Sequence, residues 1–160
     1  FSRDKRPMWR MTLPAAVEYT MPNNTGLHRL SSGDSGQVRA LYAHGGAFSP
    51  DAFEPYQVDN GVFYGITNEA GELVASGGTH IVDWQQGIGA VGNMYTRPDV
   101  RGQGHARTVL RAIVAALRQG DVTNIVLNVD QRNLAAKQLY EKNGFVIDCP
   151  YVEGIGELGR

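Results

Sequence analysis

An α+β domain built on a mixed sheet is predicted by three features of the chain. Between residues 62 and 96, three apolar, β-prone stretches follow one another through tight turns, the pattern of an antiparallel meander. Directly after them come a glycine-rich loop, a strongly amphipathic helix and another strand, a connection long enough for a right-handed crossover and hence for a parallel strand pair. A second helix then closes at Asn143-Gly144, a C-cap pair, with Phe145 packing back over it.

In chain order, Trp9–Leu13 is a short extended candidate stopped by Pro14, and Met21–Gly26 reads as loop. Leu27–Leu30 is a short strand candidate. From Asp34 to His44 the residues Val38, Leu41 and Tyr42 fall at i, i+3 and i+4, with Asp34 placed to cap a helix and Gly45-Gly46 to stop it. Phe48–Tyr56 combines Pro50 and Pro55 with Phe48, Phe53 and Tyr56, which suits a short helix or an ordered loop that could line a pocket. The meander comprises Val62–Ile66, Glu72–Ile81 and Ile88–Thr96, joined by turns at Asn68–Gly71 and Asp83–Gly87. In the helix that follows, Ala106, Val109, Leu110, Ile113, Val114 and Leu117 recur on one face, and Arg107, Arg111 and Arg118 take the other, up to Gly120. Asn124–Val129 is a strand, Asn133–Lys142 a helix and Phe145–Asp148 a last strand. No internal repeat or low-complexity segment interrupts this order.

Composition narrows the function classes. The 160 residues suit one domain of ordinary size with a substantial core. A formal net charge of −1, with fifteen scattered Lys and Arg, lacks the basic stripe that nucleic-acid binding requires. No apolar run approaches the roughly 18 residues of a membrane span, and no secretory h-region is present, so a soluble protein with no membrane partner is expected. The single cysteine, Cys149, has no internal partner and suits a reducing compartment, with the cytoplasm as the default. No Cys, His and carboxylate cluster has metal-ligand spacing, so no metal is expected. The chain begins at Phe1 in charged sequence through Pro7 that reads as poorly structured, consistent with processing or a missing upstream segment.

The stretch richest in chemistry is Arg101-Gly102-Gln103-Gly104-His105-Ala106, set between a strand and the amphipathic helix. Glycines in a turn bring backbone N–H groups close to an anion, and the helix dipole adds about half a positive charge at the same point. A Walker A loop is excluded, because no lysine and hydroxyl follow the glycines at its spacing. A dinucleotide fingerprint fits poorly: Arg107 stands where a third glycine is needed, Asp121 precedes its strand, and the loop follows antiparallel strands.

What remains is Arg/Gln-x-x-Gly-x-Gly/Ala, met by Arg101, Gly104 and Ala106, and here the chain resembles the GNAT superfamily of acyl-CoA-dependent N-acyltransferases. Gly92–Gly104 looks like that family's central strand and acetyl-CoA loop, and Asn133–Phe145 like its downstream helix. The meander from Phe63 to His80 is similar to a subgroup that includes glycine N-acyltransferase-like proteins, whose catalytic module is the C-terminal half of a longer chain. The resemblance covers residues 27–154 and implies a catalytic domain over 27–160. Residues 1–26 are then an N-terminal extension or the remnant of a longer N-terminal half. The implied fold is three-layered, a mostly antiparallel sheet with a splayed parallel central strand pair and flanking helices.

The resemblance also assigns roles. Acetyl-CoA is the implied cosubstrate, with its pantetheine arm paired to backbone groups of Met94, Tyr95 and Thr96 in the manner of an added strand. Its pyrophosphate rests on Arg101, Gly102, Gln103, Gly104, His105 and Ala106; Arg107 either adds charge or belongs to a solvated face. Asn133 contacts the pantetheine or caps its helix, with Ala136 beside it. Tyr140 falls at the family's general-acid position, where a phenol of pKa near 10 can protonate a departing thiolate of pKa about 8.5; the plain alternative is a core aromatic. The acceptor is a small-molecule or peptide amine, and the oligomeric state a monomer or homodimer.

One departure concerns the base. A primary amine of pKa near 10.4 is rarely neutral at pH 7, a state that costs roughly 4 to 5 kcal/mol, yet Val91–Thr96 carries no glutamate. His80, Glu54, Asp83 or a water relay could take the proton, and His80 could equally be structural. Asp130 reads as a strand terminator. His28 and His44 lie near segment ends, and Trp9, Phe48, Phe53, Tyr56 and Trp84 are open to pocket or packing roles. Cys149 lies outside both motifs, which disfavours a covalent cysteine intermediate. The expected activity is direct acetyl transfer in a ternary complex; the alternative is a catalytically weak acyl-CoA-binding module with a sensing or partner role.

Overall fold

A computed structural model describes residues 5–154. The chain runs β1 (Lys5–Leu13), β2 (Leu27–Arg29), α1 (Ser35–Tyr42), α2 (Tyr56–Asn60), β3 (Phe63–Thr67), β4 (Leu73–Asp83), β5 (Ile88–Thr96), α3 (His105–Gln119), β6 (Asn124–Asp130), α4 (Leu134–Lys142) and β7 (Val146–Gly154). All seven strands form one sheet in the order β2-β3-β4-β5-β6-β1-β7. Every pairing is antiparallel except β5 with β6.

The expected meander is β3, β4 and β5, and the expected crossover helix is α3. Val109, Leu110, Ile113, Val114 and Leu117 are fully enclosed in the main core with Met11, Val91, Ile125 and Leu127 from the sheet. Each such aliphatic side chain contributes on the order of 1.5–3 kcal/mol of transfer free energy. A smaller core on the other side joins α1 to the meander through Val38, Leu41, Tyr42, Phe63 and Tyr95.

The parallel pair is short, and its shortness creates the opening. β5 meets β6 only from Ile88↔Asn124 to Val91↔Leu127. Beyond Val91, β5 keeps its pairing with β4, and beyond Leu127, β6 keeps its pairing with β1. Gly92–Thr96 and Asn128–Asp130 therefore diverge, and backbone groups on their facing edges are left without a strand neighbour.

Several expectations need correction. Phe1–Asp4 lie outside the described residues, but Lys5–Pro7, read as poorly structured, already belong to β1. β1 lies between β6 and β7, so the segment ahead of residue 27 contributes a strand to the same sheet. The chain then passes along the ends of α3 and α4, where Arg118 donates to the carbonyls of Pro14 and Val17 and the Tyr19 hydroxyl donates to that of Asn143. Asp34 stands at the N-cap position of α1, but its side chain makes no cap bond there; its carboxylate accepts the Ser31 N–H at 2.8 Å, closing the short turn that precedes the helix. β7 runs well past Asp148 because β1 offers a partner as far as Lys5↔Gly154.

Candidate active site

The glycine loop has the backbone its sequence requires. Gly102 and Gly104 have φ of +80° and +82°, where a side chain is strained, and nothing crowds the space in which their Cβ atoms would stand. The first amide engaged at the start of α3 is that of Thr108, which donates to the Gly104 carbonyl at 3.1 Å. Among the described residues, the seven backbone N–H groups from Arg101 to Arg107 have no acceptor. A run of free amides at the N-terminus of a fifteen-residue helix has the geometry to receive an anion.

Its surroundings carry positive charge. Gln103, Gly104, Arg107, Thr108 and Arg111 form one wall of a groove of about 550 Å³, and Thr20–Asn23 form the other. Arg111 lies over the Tyr19 ring at 4.5 Å, which holds the residue 20–23 wall near α3. Arg101 points the other way: its Nε donates to the Thr96 carbonyl at 2.9 Å and its guanidinium lies over the Tyr95 ring at 5.4 Å. Arg101 thus fixes the loop to the end of β5. The Tyr95 hydroxyl in turn donates to Gly45 O, so its side chain is a strut between β5 and the 45–55 segment.

Tyr140 stands on α4, 6% exposed, edge-on to Phe145 at 5.9 Å. Burial pushes its phenol up to about 12. The hydroxyl has no hydrogen-bond partner among the described residues, yet it is not one of the side-chain atoms sealed without a partner. It is therefore an available donor on an otherwise enclosed ring. Asn133 is the N-cap of α4, its Oδ1 accepting the Ala136 N–H at 3.2 Å. That is the capping role, and it also occupies the amide of Ala136.

At the other end of the splay, two bulges bring together residues that sequence reading treated apart. Between Thr79↔Val91 and Ile81↔Ala90, β4 carries one extra residue, His80; between Gly78↔Gly92 and Ser76↔Tyr95, β5 carries one extra, and Asn93 there has φ +55°. The His80 ring fills the space a Cβ on Gly92 would take, with Nδ1 3.4 Å from Asn93 Nδ2. Asn93 Nδ2 also donates to Gln57 Oε1 at 3.3 Å, and the Asn93 carbonyl accepts from the buried Tyr42 hydroxyl at 2.6 Å. Burial lowers the His80 pKa, opposed by the negative charges of Glu153 and Asp51. Asn93, Gln57 and Tyr42 were not singled out from the sequence. An asparagine inside a strand was the available signal, because it is depleted there and tolerates positive φ.

The remaining candidates have other duties. Asp83 Oδ1 accepts the N–H groups of Gln85 and Gln86, organising the β4–β5 turn at the end of the hairpin away from the splay. Glu54 is exposed and lies 3.9 Å from Arg39. Trp84 donates to Asn60 O and its ring lies against Gly120, while Phe53 packs on Tyr42 and Phe63. Cys149 is exposed on β7, two strands outside β6. Among the described residues, no group of three or more His, Cys, Asp or Glu could hold a metal ion, and no helix is long and apolar enough to cross a membrane.

Comparison with known proteins fits this architecture. Residues 34–145, more than half of the chain, match the model of the acetyltransferase (GNAT) family. Mycothiol acetyltransferase from Thermobispora bispora is 29% identical over 160 residues, a match covering 88% of this chain and 54% of that protein. The chain thus spans about half the length of that relative. Among solved structures, a putative GNAT acetyltransferase from Novosphingobium aromaticivorans superposes with a TM-score of 0.79 at 23% identity, covering 95% of this chain and 64% of that one. The ribosomal-protein-S18-alanine N-acetyltransferase from Escherichia coli gives a TM-score of 0.61 at 22% identity, with coverages of 74% and 75%. The splayed parallel pair, the glycine loop feeding α3 and these matches lead to one conclusion: the chain belongs to the GNAT family of acetyltransferases.

Proposed function

We propose that the protein transfers an acetyl group from acetyl-CoA to a primary amine, directly and within a ternary complex. The observation that carries this reading is the run of seven unengaged N–H groups from Arg101 to Arg107, laid out by two left-handed glycines where β5 gives way to α3. The donor's pyrophosphate rests on the amides of Arg101–Ala106, with Arg107 adding charge from the groove wall. The pantetheine arm enters the splay along Met94, Tyr95 and Thr96, with Asn133 and Ala136 at the start of α4 beside it. The Thr96 carbonyl is held by Arg101, so that residue serves chiefly to anchor the strand end.

In the transfer step the amine lone pair attacks the thioester carbonyl carbon. The C–N bond forms, the C–S bond breaks, and sulfur leaves with the electron pair. The Tyr140 hydroxyl donates to that sulfur. With the phenol pushed up to about 12 and a thiol near 8.5, complete transfer to a lasting buried phenolate is uphill by about 5 kcal/mol. Tyr140 therefore acts mainly as a hydrogen-bond donor to the developing thiolate; the ammonium loses one proton to solvent before attack, and the proton the nitrogen sheds as the amide forms ends on sulfur to give the free thiol. With no carboxylate on β5, and with Asp83 engaged in its turn, water in the opening carries that proton.

The lack of a β5 carboxylate supports one other reading, an acyl-CoA-binding module with weak or no catalysis. The finer resemblance to glycine N-acyltransferase-like proteins rests on the Phe63–His80 meander, and a reducing compartment such as the cytoplasm suits the exposed, unpaired Cys149. Thiol release from acetyl-CoA across a panel of amines, amino acids and peptides is the test. Acceptor-dependent release is expected; tight CoA binding by calorimetry with no release for any acceptor would establish the binding module instead.

A further inference from the structure

His80 sits in a hydrogen-bond chain whose direction is fixed. The Glu54 backbone N–H can only donate, so the Gln57 side-chain atom 3.0 Å from it is the oxygen Oε1. The group of Asn93 that faces Oε1 at 3.3 Å must then be its amide nitrogen, because two carbonyl oxygens would repel. The second hydrogen on that nitrogen faces His80 Nδ1 at 3.4 Å. Asn93 is 5% exposed, its backbone carbonyl is bound by Tyr42, and its side-chain Oδ1 is enclosed without a partner, so Nδ2 makes the hydrogen bonds of its carboxamide. A neutral imidazole carries one N–H, and with the Nδ1 lone pair engaged that hydrogen belongs on Nε2.

We infer that His80 is held as its Nε2–H tautomer by Gln57 and Asn93, and that it presents a neutral N–H donor to an oxygen of the acceptor, not a base to its amine. The second clause rests on the acyltransferase reading; the first stands without it. Three placements support the donor role. The ring lies over Gly92, the first residue of β5 beyond its last pair with β6. Nε2 has no partner among the described residues, and part of the ring is open to solvent. Protonation would set an Nδ1–H against the Asn93 N–H, so the imidazolium is disfavoured from α2 and β5 alike. Glu153 on β7 and Asp51 on the 43–55 loop favour it, although Asp51 is paired with Arg6 at 2.8 Å. An N–H donor at this point suits a primary amine that also bears a carbonyl or carboxylate oxygen, as amino acids and peptide N-termini do.

Nitrogen-15 spectra of the histidine-labelled full chain test the tautomer. A protonated Nε2 with an unprotonated Nδ1 at neutral pH is expected, and Asn93→Asp, whose carboxylate can only accept, should reverse the pattern. An Nδ1–H tautomer or an averaged mixture in the wild type would overturn the inference. Kinetics test the donor role. His80→Gln keeps an N–H and should leave the acceptor KM within about threefold, whereas His80→Ala should raise it about tenfold for carbonyl-bearing amines but not for a plain alkylamine. A matching rise in the acetyl-CoA KM would assign the donor to the thioester and reject the acceptor role. Loss of kcat in both variants, with disappearance of the acidic limb of the pH profile, would make His80 the base and sink it. If no amine supports turnover, the acyltransferase reading fails while the spectra still decide the tautomer.

Discussion

The two ends of the splay are built on different principles. At the proposed donor end, the loop from Arg101 offers backbone, and the side chains serve to shape it: two glycines open the turn, Arg101 ties it to Thr96, and the amides face outward without acceptors. At the proposed acceptor end, the site offers side chains, and the backbone is distorted to bring them together, with one bulge delivering His80 and another delivering Asn93. A backbone site tolerates most sequence changes except those that alter φ. A side-chain site fails when a single carboxamide is reversed.

Substitutions at each end should separate the functions. Tyr140→Phe is expected to lower kcat about 100-fold while leaving CoA affinity within about twofold, measured by steady-state kinetics and calorimetry. Equal losses in both would make Tyr140 a packing residue only. Arg118→Ala removes charge-assisted bonds to the carbonyls of Pro14, Val17, Val122 and Thr123 and should cost about 2–3 kcal/mol in denaturant unfolding, with CoA affinity retained. Gly104→Ala forces a Cβ into the left-handed region and should weaken acetyl-CoA binding about tenfold, with no change in the acceptor KM. Arg107→Ala, on the groove wall, should weaken it only about threefold, with the difference fading at high salt.

The smallest effect concerns pH. Because the folded His80 pKa is lowered, the unfolded chain binds more protons just below the ordinary value of about 6.5. The stability His80 lends is thus present above that pH and is lost as pH falls through it toward the folded value. Thermal unfolding between pH 7.5 and 5.5 should show a shallower slope for His80→Gln than for the wild type.

The donor end was legible in the sequence because periodicity and glycine spacing are local. Each strand of the meander, the apolar face of α3, and the order strand, Gly102, Gly104, helix declare themselves over short stretches of contiguous sequence. The acceptor end was not, because its register depends on two bulges that no local pattern announces. His80 and Asn93 are thirteen positions apart, and Gln57 a further thirty-six from Asn93, so only the paired sheet places them together. β1 was legible only at Trp9–Leu13, for a similar reason: Lys5–Pro7 looks charged and irregular alone, and becomes strand by pairing with β7. Asn133 was ambiguous between capping and ligand contact until the Ala136 amide was seen on its oxygen.

The central claim is that the amides of Arg101–Ala106 hold the donor's pyrophosphate. Titration of uniformly nitrogen-15-labelled protein with CoA, followed by amide resonances, addresses it residue by residue. The largest saturable shifts should fall on Gly102–Ala106, with smaller ones at Met94 and Tyr95, and should weaken in Gly104→Ala. Saturable binding that leaves residues 101–106 unmoved would contradict the claim.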